Sequence, residues 1–188
     1  MAFIVVLDAC VLFPAPLRDL LIRLARTGLF RAKWSGLILD ECFRSILQQR
    51  SDLDAKKLER TRELMQVAVP DCMVEGHESL IAGLVLPDPD DRHVLAAGIR
   101  AGAQVIVTAN LADFPEEALR PWDLEAQHPD EFVLNLIDLS PDLVCNAVRG
   151  QLAALRAPTQ TLEQLLDTLA KVGLRQSVQQ LRVLLSTG

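Results

Sequence analysis

Four acids stand beside apolar segments of the chain. Asp8 closes the unbroken run Phe3–Leu7, and Asp113 lies five residues beyond a second such run, 104–108. Between them, Asp91 follows Pro87–Asp90 at the start of a helical pattern, and Glu41 sits at the margin of the apolar stripe Ile38, Leu39, Cys42, Phe43 and Ile46. Carboxylates brought together repel one another and raise each other's pKa, which destabilises a fold unless a cation compensates. Mg²⁺ or Mn²⁺ suits all-oxygen ligands, lowers the pKa of a bound water and stabilises charge developing on phosphorus, so the chemistry to expect is phosphodiester hydrolysis. Each acid alone has a plainer reading. Asp88, Asp90 and Asp91 suit helix capping, Asp8 an N-cap, Glu41 a partner for Arg44 or Lys33, and Asp113 a turn. The argument rests on the set.

To meet, these acids need elements that share an edge. A short β-branched run such as Phe3–Leu7 reads as a strand buried on both faces, with Asp8 at its carboxyl end, where ligands bind in open α/β sheets. Leu17, Leu20, Leu21 and Leu24 repeat at helical spacing up to Gly28. Residues 30–34 alternate apolar and basic, a half-exposed strand, after which Ser35 caps a helix to about Gln49. A basic helix over about 52–67, a short strand near 72–74 and a short helix near 78–83 follow. Asp88 then predicts an N-cap with Pro89 at the first helical position, Gly102 a stop, 104–108 a strand, and 122–125 an edge strand. Strands alternating with helices imply an α/β fold with a mostly parallel sheet of four to five strands. From about Pro129 the pattern is helical only, with leucine stripes broken at Ala157-Pro158-Thr159 and Lys171–Gly173, so the expected division is 1–127 and 128–188.

Composition narrows the class. Half of the residues are hydrophobic, but there are only six Phe, two Trp and no Tyr, so the core is aliphatic. No stretch approaches a membrane span and no leader resembles a signal peptide, so a cytoplasmic protein is expected. Cys10, Cys42, Cys72 and Cys145 form no C-x-x-C pair and read as reduced thiols; with only His77, His93 and His128, zinc spacing is absent. The net charge of −6 is uneven: residues 18–62 carry eleven Lys/Arg against six Asp/Glu, and residues 63–188 carry eight against eighteen. The basic helices over 18–26 and 44–62 are the candidate contacts for a polyanion.

These residues also resemble a known family. Over about residues 3–126 the chain is similar to the PIN-domain ribonucleases, in particular VapC-like toxins of toxin–antitoxin pairs. The first family acid matches Leu7–Leu12, the second Ser35–Glu41, the third Asp91 ahead of Val94–Ala97, and the fourth Thr108–Phe114. The resemblance implies an Mg²⁺- or Mn²⁺-dependent endoribonuclease in which Asp8, Glu41, Asp91 and Asp113 hold the metal. Thr108 and Asn110 would position the fourth acid or the substrate phosphate. It also implies a cognate antitoxin and a homodimer, and a C-terminal helical extension found in one subgroup. One departure is Cys10, where many members carry a polar residue; a thiol does not replace an amide's hydrogen bonds, so a different environment for Asp8 is expected.

Two enzyme classes with related patterns fit less well. A phosphoacceptor receiver needs a lysine after its last strand, and none lies between Lys57 and Lys171; an Asp-nucleophile phosphatase needs an acid where Cys10 stands. The alternative kept open is a non-catalytic PIN-fold module that binds RNA or protein without metal.

Overall fold

The computed structural model of the protein describes residues 2–156 and 159–186. Five strands, β1 (Phe3–Leu7), β2 (Phe30–Ser35), β3 (Met73–Val74), β4 (Val105–Val107) and β5 (Glu125–Gln127), form one sheet in the order β3-β2-β1-β4-β5. Every pairing is parallel, with Val5 opposite Ala32 on one side and Val105 on the other. The chain builds outward from β1 to β2 and β3, then returns to the other side of β1 for β4 and β5. The strand order therefore reverses between β1 and β4, and ligands of open α/β sheets bind at the carboxyl ends beside such a reversal.

Around the sheet lie α1 (Ala9–Leu12), α2 (Ala15–Arg26), α3 (Gly36–Gln49), α4 (Ala55–Ala68), α5 (Glu78–Ile81), α6 (Arg92–Ala101) and α7 (Glu116–Leu119). Four more helices follow: α8 (Pro129–Leu139), α9 (Pro141–Ala154), α10 (Leu162–Lys171) and α11 (Arg175–Ser186). The expected boundaries hold with local shifts that have physical causes. α4 starts at Ala55 because Asp54 takes the cap, accepting from the Lys56 backbone N–H at 2.9 Å, while Asp52 pairs with Arg50. Asp88 caps a single 3-10 turn, 89–91, before α6 begins, a common way to open a helix. Gly102 ends α6 in the left-handed region at φ 61°, as a glycine after a helix commonly does. Of the break read at 157–159, residues 157 and 158 lie outside the described residues.

One expectation is corrected. The edge strand is β5 at 125–127, not 122–125, because residues 120–122 form a 3-10 turn and Asp123 is left-handed at φ 54°. Pro121 has no N–H to give a ladder, so pairing with β4 starts only at Glu125.

The core is aliphatic as composition requires, with Val5, Val6, Leu7, Ile106 and Val107 fully buried. Trp34 is fully buried and unavailable for base stacking. Gly98 lets α6 lie close to the sheet: an added Cβ would meet Leu124 at 3.2 Å. The C-terminal helices share this core rather than forming a detached one. Phe132 of α8 meets Phe30 edge-on at 5.0 Å, α9 lies against α2, and α11 packs on α8.

The α8–α11 contact carries a buried acid that sequence periodicity does not single out. Asp130 accepts from the backbone N–H groups of Gln176 (2.9 Å) and Ser177 (2.8 Å) and from the Ser177 hydroxyl (2.6 Å), so an acid in the first turn of α8 caps α11. Asp130→Ala strands these donors and should cost about 2–4 kcal/mol. The check is urea unfolding with amide exchange; the loss of protection should concentrate in α8–α11 and spare β1 and β4.

Candidate active site

Asp8 emerges at the carboxyl end of β1, its backbone N–H held by the Val107 carbonyl at 3.1 Å, and its side chain caps α1. Oδ1 accepts from the Ala9 N–H at 2.6 Å; Oδ2 accepts from the Thr108 hydroxyl at 2.7 Å and the Cys10 thiol at 3.1 Å. The residue is 3% exposed. Burial raises its pKa above the ordinary 3.8; the Cys10 and Thr108 hydrogen bonds oppose the rise, and Glu41 adds to it. A carboxylate offers about four lone-pair sites, so three donors leave room for a cation.

The support for Asp8 differs from expectation in two respects. Cys10 does supply hydrogen bonds: its thiol donates to Asp8 and accepts from the Ala109 N–H at 3.2 Å. Burial first, then the charge of Asp8, pushes its pKa up to about 12, so the sulfur keeps its proton and points it at the carboxylate. Thr108 serves the first acid rather than the fourth, and its Oγ1 accepts from the Asn110 N–H at 3.1 Å. Asn110 thus contributes through its backbone, while its side chain is exposed.

The other acids come from separate elements. Glu41 lies on α3, which starts directly at the carboxyl end of β2, with the Ser35 hydroxyl accepting from the Ile38 N–H at 3.2 Å. Neither Arg44 nor Lys33 pairs with it; His93 does, Nε2 to Oε2 at 3.0 Å. Asp91 ends the 3-10 turn at the head of α6, and Asp113 ends another at 111–113, after β4. Asp88 and Asp90 are exposed, whereas Asp91 is partly buried.

Asp91 reports that these carboxyls converge. Its pKa rises from 3.8 to about 7, chiefly through burial, then through the charges of Asp8, Asp113, Asp88 and Glu41. One carboxyl thus feels the charges of acids from three other elements. By donor type and by excess negative charge the site fits a hard divalent cation. It is not a finished cage: among the described residues, no group of three or more His, Cys, Asp or Glu side chains is placed so that it could hold a metal ion.

The basic surface is smaller than the sequence suggests. Arg18 is spent on the Leu12 carbonyl at 2.6 Å, Arg23 pairs with Asp19, and Arg62 pairs with Asp40 and lies over Phe43. Arg44, Lys56 and Lys57 remain exposed outside the ion pairs found among the described residues. Sequence reasoning missed His93 altogether. The available signal was a histidine two residues beyond a candidate ligand, but its partner lies 52 positions away on another helix.

A family model described as VapC50 C-terminal domain matches residues 129–183. A protein of Mycobacterium tuberculosis (strain ATCC 25618 / H37Rv) named "Putative ribonuclease VapC50" is 44% identical over 96 residues, 51% of this chain and 56% of that protein. The match therefore spans about half the length of that relative. No solved structure matches the chain. A model described as PIN domain matches residues 4–112, more than half of the sequence, and the chain belongs to the PIN-domain family.

Proposed function

We propose that the protein is an Mg²⁺- or Mn²⁺-dependent endoribonuclease that hydrolyses RNA phosphodiesters and is the toxin of a toxin–antitoxin pair. The observation that carries this reading is Asp8, buried at the carboxyl end of β1 beside the β1/β4 reversal, with Asp91 near enough that burial and then the charges of Asp8, Asp113, Asp88 and Glu41 raise its carboxyl to about 7. The ribonuclease name of the relative supports the substrate class. Asp8, Glu41, Asp91 and Asp113 would hold the cation, which when bound supplies an activated water and charge stabilisation at phosphorus. Thr108 and Cys10 orient Asp8, and their hydrogen bonds oppose the rise in its pKa that burial causes. Exposed Arg44, Lys56 and Lys57 neutralise RNA phosphates, so binding weakens with salt.

The remaining parts of the reading follow from the family resemblance. Residues 1–127 form the nuclease domain and 128–188 a helical extension; a cognate antitoxin blocks the site, a homodimer forms, and the setting is cytoplasmic. Among the described residues no helix is long and apolar enough to cross a membrane.

The test is cleavage of a mixed RNA pool by the purified chain with Mg²⁺ or Mn²⁺ against EDTA. Internal cuts should appear with metal, vanish in EDTA and return with excess Mn²⁺. Absence of cutting with every divalent ion would favour a non-catalytic PIN-fold module that binds RNA or protein.

A further inference from the structure

α6 delivers two groups to the acidic edge, and the second of them is not an acid. Asp91 precedes its first residue, and His93 lies one turn-position further in, with its ring 13% exposed and its Nε2 3.0 Å from Glu41 Oε2. A carboxylate only accepts, so the ring must carry its proton on Nε2. Nδ1 is buried and finds no hydrogen-bond partner among the described residues, so the Glu41 contact is the ring's one strong polar anchor. His77 is 1% exposed, with neither ring nitrogen hydrogen-bonded among the described residues and Nδ1 3.7 Å from Glu78; burial first, and then the charge of His93, lowers its pKa. Glu41 itself is unlike Asp8. Its side chain is 42% exposed, and the His93 contact is the only side-chain hydrogen bond found for it among the described residues.

We propose that His93 is a positioning residue that sets the rotamer of Glu41, holding Oε2 so that Oε1 is presented to the divalent cation of the acidic edge. The proposal rests on the reading of that edge as a metal-dependent nuclease site. An exposed glutamate has three side-chain torsions to fix, whereas Asp8 is already fixed by three donors. One hydrogen bond to a packed ring removes much of that freedom and leaves the second oxygen available. Residues that orient a metal-binding side chain typically change metal affinity or activity 10- to 100-fold when replaced. His93 thus does for Glu41 what Thr108 and Cys10 do for Asp8.

Mn²⁺ binding to the full chain, followed by electron paramagnetic resonance of the free ion, tests this apart from catalysis. Two polar variants separate the nitrogens. His93→Gln places an N–H near the Nε2 position, and His93→Asn places one near Nδ1, out of reach of Glu41. His93→Asn should weaken Mn²⁺ affinity about 10- to 100-fold, with RNA cleavage falling in parallel, and His93→Gln should recover most of both. In a Glu41→Gln background the His93→Asn loss should shrink to within about twofold, because a residue acting through Glu41 has nothing left to position.

Other results overturn the idea. If the wild type binds Mn²⁺ and His93→Asn binds it as tightly, His93 has no positioning role, and the nuclease reading survives. Equal losses in both Glu41 backgrounds would mean a general packing effect and likewise remove His93. A wild-type chain that neither binds Mn²⁺ nor cuts RNA overturns the site reading and this proposal together.

Discussion

Asp8→Asn should abolish RNA cleavage, by about a thousandfold or more, equivalent to roughly 4 kcal/mol in the barrier. The substitution keeps the cap on Ala9, since an amide oxygen can replace Oδ1, and the Thr108 hydroxyl can turn its proton to accept from the new NH₂ group. What it removes is the negative charge that three donors hold in place. Folding should therefore be spared: without metal, the melting temperature should stay level or rise, because a desolvated carboxylate is gone. Initial rates on a fluorescent RNA, measured beside thermal melts in EDTA, decide it. A variant that cuts at the wild-type rate would take Asp8 out of the mechanism, and with it the assignment of the β1/β4 reversal as the active site.

Asp91→Asn should lose cleavage about a hundredfold or more, and it should also change how stability depends on pH. In the folded chain this carboxyl titrates near 7 against an ordinary 3.8. Between those values the folded state holds the extra proton, so metal-free stability falls as pH rises from about 4 to about 7 and the penalty is complete above it. Because the group is only partly buried, the full linkage value is discounted to about 1 kcal/mol at pH 8, roughly 2–4 °C in melting temperature. The variant should lack this slope and be the more stable protein in EDTA at pH 8. Saturating Mn²⁺ should reverse the order, since binding to the folded state raises wild-type stability by mass action. Parallel melts at pH 5 and pH 8, with EDTA and with Mn²⁺, check all of these signs. A wild type whose metal-free stability is flat across that range would show that the acids do not strain the fold.

These two residues also illustrate how far sequence reading reached. Asp8 was legible because so short and β-branched an apolar run reads as a buried strand, and a residue closing that strand lies at the sheet edge. Asp91 was harder to separate from Asp88 and Asp90, since all three suit a helix start. In the structure Asp88 turns back to cap the 3-10 turn, Asp90 is exposed, and Asp91 is partly buried and feels the charges of the other carboxyls. The misplaced edge strand had a local cause too, since Trp122 and Leu124 look strand-like in one dimension while Pro121 and Asp123 break the extension.

Residue patterning carries the alternation of strands and helices, a mostly parallel sheet, the carboxyl edge at which Asp8 emerges, and the aliphatic core. All of these follow from local periodicity and from the geometry of a single element. Which side chains answer one another across elements is set by packing in three dimensions: Cys10 and Thr108 on Asp8, His93 on Glu41, Asp130 on the start of α11. Those partners are separated by as many as 100 positions. A hydrogen bond depends on tenths of an ångström between elements, whereas residue patterning records only which face of each element is buried.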